Sequence, residues 1–317
     1  MASDNSATAK MRWYERIVLE ILWGFSCLVG FMPRWFRFYC LRPFIASIFF
    51  LIRYRRKVIL SNLRGAFPEK SDKELRRIMR QNYLFIAEVA VCTLSLSTAD
   101  KYWDDDLILW SNFEEHQKSV NGRDWIALAS HYGCWEYFML WGWSDPNCRM
   151  MGVYHPLKSA IFDNLYHRLR NLSPNIDQVA MKNCIRHYLR HRGEGQNIAM
   201  GLISDQSPLL RPDSEWIEFF GRPTAFIDGG EKIAMKFGIP AYFVNIERVA
   251  AGRYAVTFEE VYNGEEEVAE WEITRRYAQR LEAMIRRQPE LWLWSHNRWH
   301  QTPERQLKRF GKTTYRE

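Results

Sequence analysis

Apolar residues are laid out along this chain in two periods, and the change between them divides it. Residues 17–32 are apolar but for Glu20. Wound as a helix they extend about 24 Å, short of the roughly 30 Å hydrocarbon core of a bilayer, so they read as a short span or as a segment lying in the interface. A scaffold helix is expected over 73–94, capped by Ser71 or Asp72, because Leu75, Ile78, Met79, Tyr83, Ile86 and Val89 fall at helical spacing. From Trp125 onward short apolar runs alternate with helical patterns. Strands are expected at 125–129, 149–154, 197–203, 216–220, 241–246 and 254–261. Helices are expected from Trp135 and over 159–172, 181–192, 229–237 and 271–287. That alternation predicts an α/β fold, a mostly parallel central sheet flanked by helices, with an N-terminal membrane-associated helical segment.

Composition changes the picture mainly at the N-terminal end. Residues 1–10 are polar and read as unstructured, and no small-residue cleavage pattern follows the apolar run, so a cleaved signal peptide is not expected. Beyond the run come Arg34, Arg37, Arg42, Arg53, Arg55, Arg56 and Lys57, interleaved with Trp35, Phe36, Phe38, Tyr39 and the apolar stretch 44–52. Cations mixed with aromatics suit an anionic cytosolic leaflet, and positive charge on this side holds the remainder of the chain in the cytoplasm. The expected division is a membrane anchor with its basic aromatic segment at 1–60 and a catalytic domain at 61–317. A formal charge of +7 calls for a partner of opposite sign, and nucleic acid, an anionic membrane and an acidic protein satisfy it equally. An aromatic share of 15% favours the membrane, where amphipathic rings settle at the interface. The six cysteines form no C-x-x-C pair and have no histidine at zinc-ligand spacing, so they read as reduced thiols and no metal site is expected.

Candidate chemistry gathers where strands end, which in an open α/β sheet is where ligands bind. The run 125–129 breaks at Ser130-His131-Tyr132-Gly133, and His131 and Glu136 bracket the break. A neutral imidazole can take a proton from a hydroxyl, and a carboxylate on its far nitrogen fixes the tautomer. Five residues apart on one helix the two side chains would diverge by about 140°, so His131 is expected in the turn and Glu136 on the helix behind it. Tyr154-His155-Pro156-Leu157-Lys158 follows the next strand, with Asn164, Arg168 and Arg170 on the helix after it. Ser204-Asp205-Gln206-Ser207 follows the run 197–203. Taken singly, each has an ordinary alternative as a cap or a solvated helix face. There is no G-x-S-x-G, G-x-G-x-x-G or P-loop, and Cys134, three residues past His131, is a poor candidate nucleophile because turn neighbours seldom meet in the needed geometry.

H-Y-G-C-W-E at 131–136 resembles the H-x-x-x-x-(D/E) motif of the glycerolipid and lysophospholipid acyltransferases, and in particular of the lipid A late acyltransferases of lipopolysaccharide biosynthesis. R-K-V-I-L-S-N-L-R-G-A-F-P at 56–68, S-D-Q-S-P at 204–208, F-F-G-R-P-T-A-F at 219–226 and L-W-S-H-N-R-W at 293–299 are similar to further blocks of that family, in the same order. Asn297 stands where the family usually has Arg, and Phe226 where Thr is frequent. The resemblance implies a glycerolipid acyltransferase-like fold that transfers a fatty acyl chain from an acyl carrier protein thioester to a hydroxyl of a lipid A precursor. It would do so without a cofactor or covalent acyl-enzyme, on the cytoplasmic side of the cell inner membrane. His131 is then the general base and Glu136 its orienter, while Arg170 and Asp205 bind the acceptor's phosphate-bearing headgroup or position the dyad. Lys158, Arg168 and Gln206 join them as candidate acceptor contacts. The expected partners are the carrier protein, a membrane glycolipid and the anionic membrane, not nucleic acid. An acyltransferase acting on another glycolipid or aminolipid, or an inert lipid-binding relative, is the alternative.

Overall fold

The computed structural model describes residues 11–100 and 107–315. The polar stretch 1–10, read above as unstructured, lies outside the described residues. Nine strands are present among them: β1 Ile108–Trp110, β2 Trp125–Ala129, β3 Cys148–Tyr154, β4 Ile176–Ala180, β5 Asn197–Ile203, β6 Trp216–Glu218, β7 Pro223–Ala225, β8 Ala241–Ala250 and β9 Arg253–Tyr262. Seven form one sheet in the order β1-β9-β8-β2-β5-β3-β4, parallel throughout except for the β8-β9 hairpin. All five residues of β2 are buried, as suits a central strand covered on both faces. The other two strands, β6 and β7, make a separate antiparallel hairpin.

The sequence pattern missed β1, β4 and β7. At β4 the reason is visible: Asp177 and Gln178 are consecutive polar residues on opposite faces of an edge strand, so neither apolar alternation nor an apolar run marks it. Asp177 bonds His187 of the helix Cys184–His191 (3.0 Å), while Gln178 donates to the His167 carbonyl of the helix Ala160–Arg170 (2.7 Å). Neighbouring strand residues point to opposite faces, so these two helices cover opposite sides of the sheet. The helix expected from Trp135 is instead 3₁₀ from Trp135 to Leu140, with one α turn, Trp141–Ser144, after it.

The scaffold helix spans Asp72–Ser95, opened by a capping box in which Ser71 and Glu74 bond each other's backbone N–H. Against it pack two N-terminal helices, Trp13–Phe31 and Arg42–Leu51. The segments Trp13–Phe31 and Arg34–Leu51 meet at a 111° bend; no single described helix is long and apolar enough to cross a membrane, but this bent pair together has the length and composition. Only Leu19, Ser26, Val29 and Gly30 of the first helix are buried, whereas Ile17, Val18, Ile21, Phe25, Leu28 and Phe31 stand exposed. The arginines expected to face lipid are divided. Arg42 enters a 2.5 Å ion pair with the buried Glu88, Arg34 donates to the Ala251 carbonyl and Arg55 to the Ser295 carbonyl. Arg53, Arg56 and Lys57 remain exposed. Glu88 also accepts from Tyr254 Oη (2.6 Å) and the Gly252 N–H (2.9 Å). Gly252 has φ +65°, and a Cβ there would strike the Phe38 ring, so glycine lets the β8-β9 turn seat against the N-terminal segment.

Candidate active site

The parallel register of β2 and β5 builds the centre. Ala129 pairs with Ile203, so the residues two steps beyond, His131 and Asp205, emerge side by side at the carboxyl edge of the sheet. His131 Nδ1 lies 2.7 Å from Asp205 Oδ1, and Asp205 Oδ2 accepts the His131 backbone N–H (3.0 Å) and the Trp292 indole N–H (2.7 Å). Burial pushes the Asp205 carboxyl pKa up. The neighbouring His131 and the donated hydrogen bonds outweigh this and leave it below the usual carboxylate range. Beside an ionised Asp205 the neutral imidazole takes the tautomer with its proton on Nδ1 and its lone pair on Nε2. That Nε2 faces the Gln206 amide nitrogen at 3.2 Å and sits on a side chain still 19% exposed. A base on a partly exposed side chain, with its far nitrogen held by a buried carboxylate, can deprotonate an incoming hydroxyl once that hydroxyl displaces the Gln206 amide.

The turn that carries His131 is fastened to the C-terminal segment. Leu293 N–H donates to the His131 carbonyl (3.1 Å) and Gly133 N–H to that of Leu291 (3.0 Å). Gly133 has φ +58°, and a Cβ would lie 2.8 Å from Ile246, so the bend requires glycine on two counts. The C-terminal segment is fixed from behind by two buried amides. Asn82 donates to the carbonyls of Glu290 and Trp292 (2.8 Å each), and Asn62 to those of Trp294 (2.9 Å) and His296 (2.8 Å). His296 Nε2 in turn accepts the Ser207 N–H (3.2 Å), and burial holds its pKa down at about 4, so it is neutral and able to accept. The buried Arg298 guanidinium lies over the Phe226 ring (4.5 Å); burial draws its pKa down to about 10, against the pull of Asp205 and Tyr277. Trp292, His296, Asn62 and Arg298 were not singled out from sequence, although three of them fall in the blocks at 56–68 and 293–299.

Glu136 does not take the expected place beside His131. It is buried and forms a two-pronged ion pair with Arg170, at 2.7 Å from Nε and 2.6 Å from Nη2. The cause is local: past Gly133 the chain winds as a 3₁₀ helix, and that turn directs Glu136 to the end of the helix Ala160–Arg170, while Asp205 occupies the imidazole's far nitrogen. Burial lowers the Arg170 pKa, but Glu136 more than compensates and the net shift is upward. Trp135 links the two units, its ring edge-on to His131 (centroids 5.0 Å) and its N–H on Glu136 (3.2 Å). Asp205 thus lies against the imidazole and Arg170 against Glu136. Arg168 points elsewhere, bonding Glu20 through both carboxylate oxygens (3.0 Å each) and covering the Trp23 ring at 3.9 Å, so it docks the N-terminal helix. Lys158 is exposed in the loop after β3. Asn297 is exposed, and its carbonyl lies 2.7 Å from His300 Nδ1. Cys134 is buried, and burial drives its thiol pKa well up, so it stays protonated and is a poor nucleophile.

The family model of bacterial lipid A biosynthesis acyltransferases matches residues 7–301. The chain belongs to that family. A comparison with curated proteins gave no match. Membership makes the protein an acyltransferase of lipid A biosynthesis. In this acyltransferase the first and last of the blocks resembling the family lie far apart in sequence yet are joined, because Asn62 donates to the Trp294 and His296 carbonyls.

Proposed function

We propose that this acyltransferase moves a fatty acyl chain from an acyl carrier protein thioester to a hydroxyl of a lipid A precursor, at the cytoplasmic face of the inner membrane. The observation that carries the reading is the 2.7 Å contact between His131 Nδ1 and the buried Asp205, with the far nitrogen Nε2 on a partly exposed side chain and facing only the Gln206 amide among the described residues. The acceptor hydroxyl replaces the Gln206 amide at Nε2 and gives up its proton there as its oxygen adds to the thioester carbonyl. The tetrahedral intermediate then collapses, the carbon–sulfur bond breaks, and the imidazolium returns its proton to the departing thiolate. No acyl-enzyme forms. Gln206, released from Nε2, is within reach of the developing oxyanion as a hydrogen-bond donor. The Glu136–Arg170 pair fixes Trp135 and through it the imidazole plane.

On this reading residues 1–60 are the membrane segment and 61–317 the catalytic domain. The exposed apolar face of Trp13–Phe31 and Arg34–Leu51, bent and lacking a single full-length span, supports a segment immersed in one leaflet. The test is reconstitution in anionic vesicles with purified acyl carrier protein thioester and a phosphorylated lipid A precursor, the product read by mass spectrometry. The reading expects one acyl chain added as an ester and a loss of about 10² to 10⁴ in rate for His131→Ala. A His131→Ala enzyme with near-normal turnover would remove the mechanism.

A further inference from the structure

A basic helical face that begins near the catalytic edge and runs back across the sheet is unused by this chemistry. Following β4, the chain winds through a 3₁₀ turn, Met181–Asn183, into the helix Cys184–His191. Cys184 and Tyr188 face the core. Lys182, Arg186 and Arg190 sit two residues round from them, about 200° away, and all three are exposed. Met181 and Leu189, 53% and 50% exposed, flank this stripe with apolar surface. Arg192 continues it over the rings of Tyr188 and Phe237, and on the neighbouring helix Gly229–Phe237 Lys236 and Met235 are exposed in turn. Among the described residues the acids beside this helix are engaged: Asp177 with Arg149 and His187, Glu194 with His191, and Asp124 with Tyr188 Oη and the Ile198 N–H.

We propose that this face is the docking surface for the acidic acyl carrier protein, an inference that rests on the carrier-protein reading of the donor. Charge complementarity is the first argument, since a cationic stripe raises the encounter rate with an acidic partner, and exposed Met and Leu beside it give the complex an apolar contact. Reach is the second. The stripe begins with Lys182 just past the end of β4, three strands from β2 at about 4.8 Å each, so its first residue stands roughly 14 Å along the sheet edge from His131. The helix then runs back toward the start of β2, where Tyr188 bonds Asp124, so the carrier delivers its tethered thioester from the Lys182 end. The third argument selects the carrier over a lipid surface. The helix Ala160–Arg170, which binds the N-terminal apolar segment through Arg168 and Glu20, covers one face of the sheet, and the basic helix covers the other. One bilayer surface would have to meet both faces at once.

The full-length protein carrying Lys182→Glu and Arg186→Glu tests this. Compared with wild type, kcat/KM for the acyl carrier protein thioester should fall about 10- to 100-fold and lose most of its salt dependence. With the same acyl group on free pantetheine, kcat/KM should be unchanged, as should co-sedimentation with phosphatidylglycerol vesicles. A Lys182→Gln, Arg186→Gln variant should show a smaller loss in the same direction. Unchanged use of the carrier thioester, or an equal loss with both donors, overturns the docking surface while leaving the donor reading intact. Loss of vesicle binding instead assigns the stripe to the membrane and also overturns it. A wild-type enzyme that uses acyl-coenzyme A as well as the carrier thioester, with no salt effect, removes the donor reading and the docking surface together.

Discussion

Replacing Asp205 by Asn separates the two carboxylates that compete for the role of His131's partner. Asp205 accepts three hydrogen bonds, from His131 Nδ1–H, the His131 backbone N–H and the Trp292 indole. An asparagine has one acceptor oxygen to place. If that oxygen faces Nδ1, the amide NH₂ points at two donors that cannot move, the backbone N–H and the indole. If the amide is turned over, its oxygen satisfies both donors and its NH₂ points at Nδ1. The second arrangement leaves fewer unsatisfied groups, and each buried one costs about 1–3 kcal/mol. It also forces the proton of His131 onto Nε2, the nitrogen that must accept from the acceptor hydroxyl. Loss of the base, with the geometry kept, gives an expected fall in kcat of about 10³ to 10⁴. Steady-state transfer with both substrates saturating measures the fall, and nitrogen-resolved NMR of His131 should show the tautomer reversed. An Asp205→Asn enzyme that keeps a tenth or more of its kcat, with His131 still protonated on Nδ1, would refute the assignment.

Other outcomes follow from the same contacts. Glu136→Gln leaves the Arg170 charge buried and half-paired, and should lower stability by about 3–5 kcal/mol; a Glu136→Gln, Arg170→Met double variant should recover part of that loss in a denaturant titration, and strict additivity would contradict the pairing. Changing Ile21, Phe25 and Leu28 to Ser removes three exposed apolar side chains of about 1.5–3 kcal/mol each on burial, so vesicle binding should drop at least about 100-fold while transfer between detergent-solubilised substrates survives; unchanged vesicle partition argues against an immersed segment. His116 is buried among Trp125, Tyr242 and Phe258, and burial lowers its pKa from 6.5 to about 4. Between those values the unfolded chain binds the proton and the folded one does not, so stability falls on acidification from about pH 6.5 toward 4, by up to roughly 3 kcal/mol. His116→Phe should make that slope shallower, the remainder coming from His296 with its similarly lowered pKa, and an unaltered pH profile would show that His116 is not a source of it.

Much of this architecture is legible from local pattern. The strands at 125–129 and 197–203 and the helix at 229–237 have the bounds the pattern gives, because buried central strands are continuous apolar runs and the helix carries its apolar residues at 3.6 spacing with Gly238 at its end, in the left-handed conformation. The pattern fails where burial is partial, as at the edge strand β4, or where the backbone leaves the α-helix. That second failure moves Glu136: a 100° step per residue and a 120° step per residue separate after a few positions, and no feature of W-E-Y-F-M-L marks the difference.

The pairing of His131 with Asp205 lies beyond local pattern for a more general reason. The two are 74 residues apart and come together only because β5 inserts next to β2, ahead of β3 and β4 in space though after them in sequence. Periodicity places both residues just past the ends of apolar runs. It does not say which runs are neighbours or in what register, and a shift of one residue between β2 and β5 would turn Asp205 away from the imidazole. The register is held at its end by Ser204 N–H on the Ala129 carbonyl (3.2 Å), and beyond it by Tyr277 Oη on the same carbonyl (2.8 Å). Tyr277 belongs to the helix Glu272–Arg287, far along the chain. The candidate base is therefore positioned by tertiary contacts whose sequence traces are single residues, Asn62, Tyr277 and Trp292, each unremarkable alone. What a sequence can show is the chemistry that several strand ends offer; which carboxylate completes the histidine is decided by strand order.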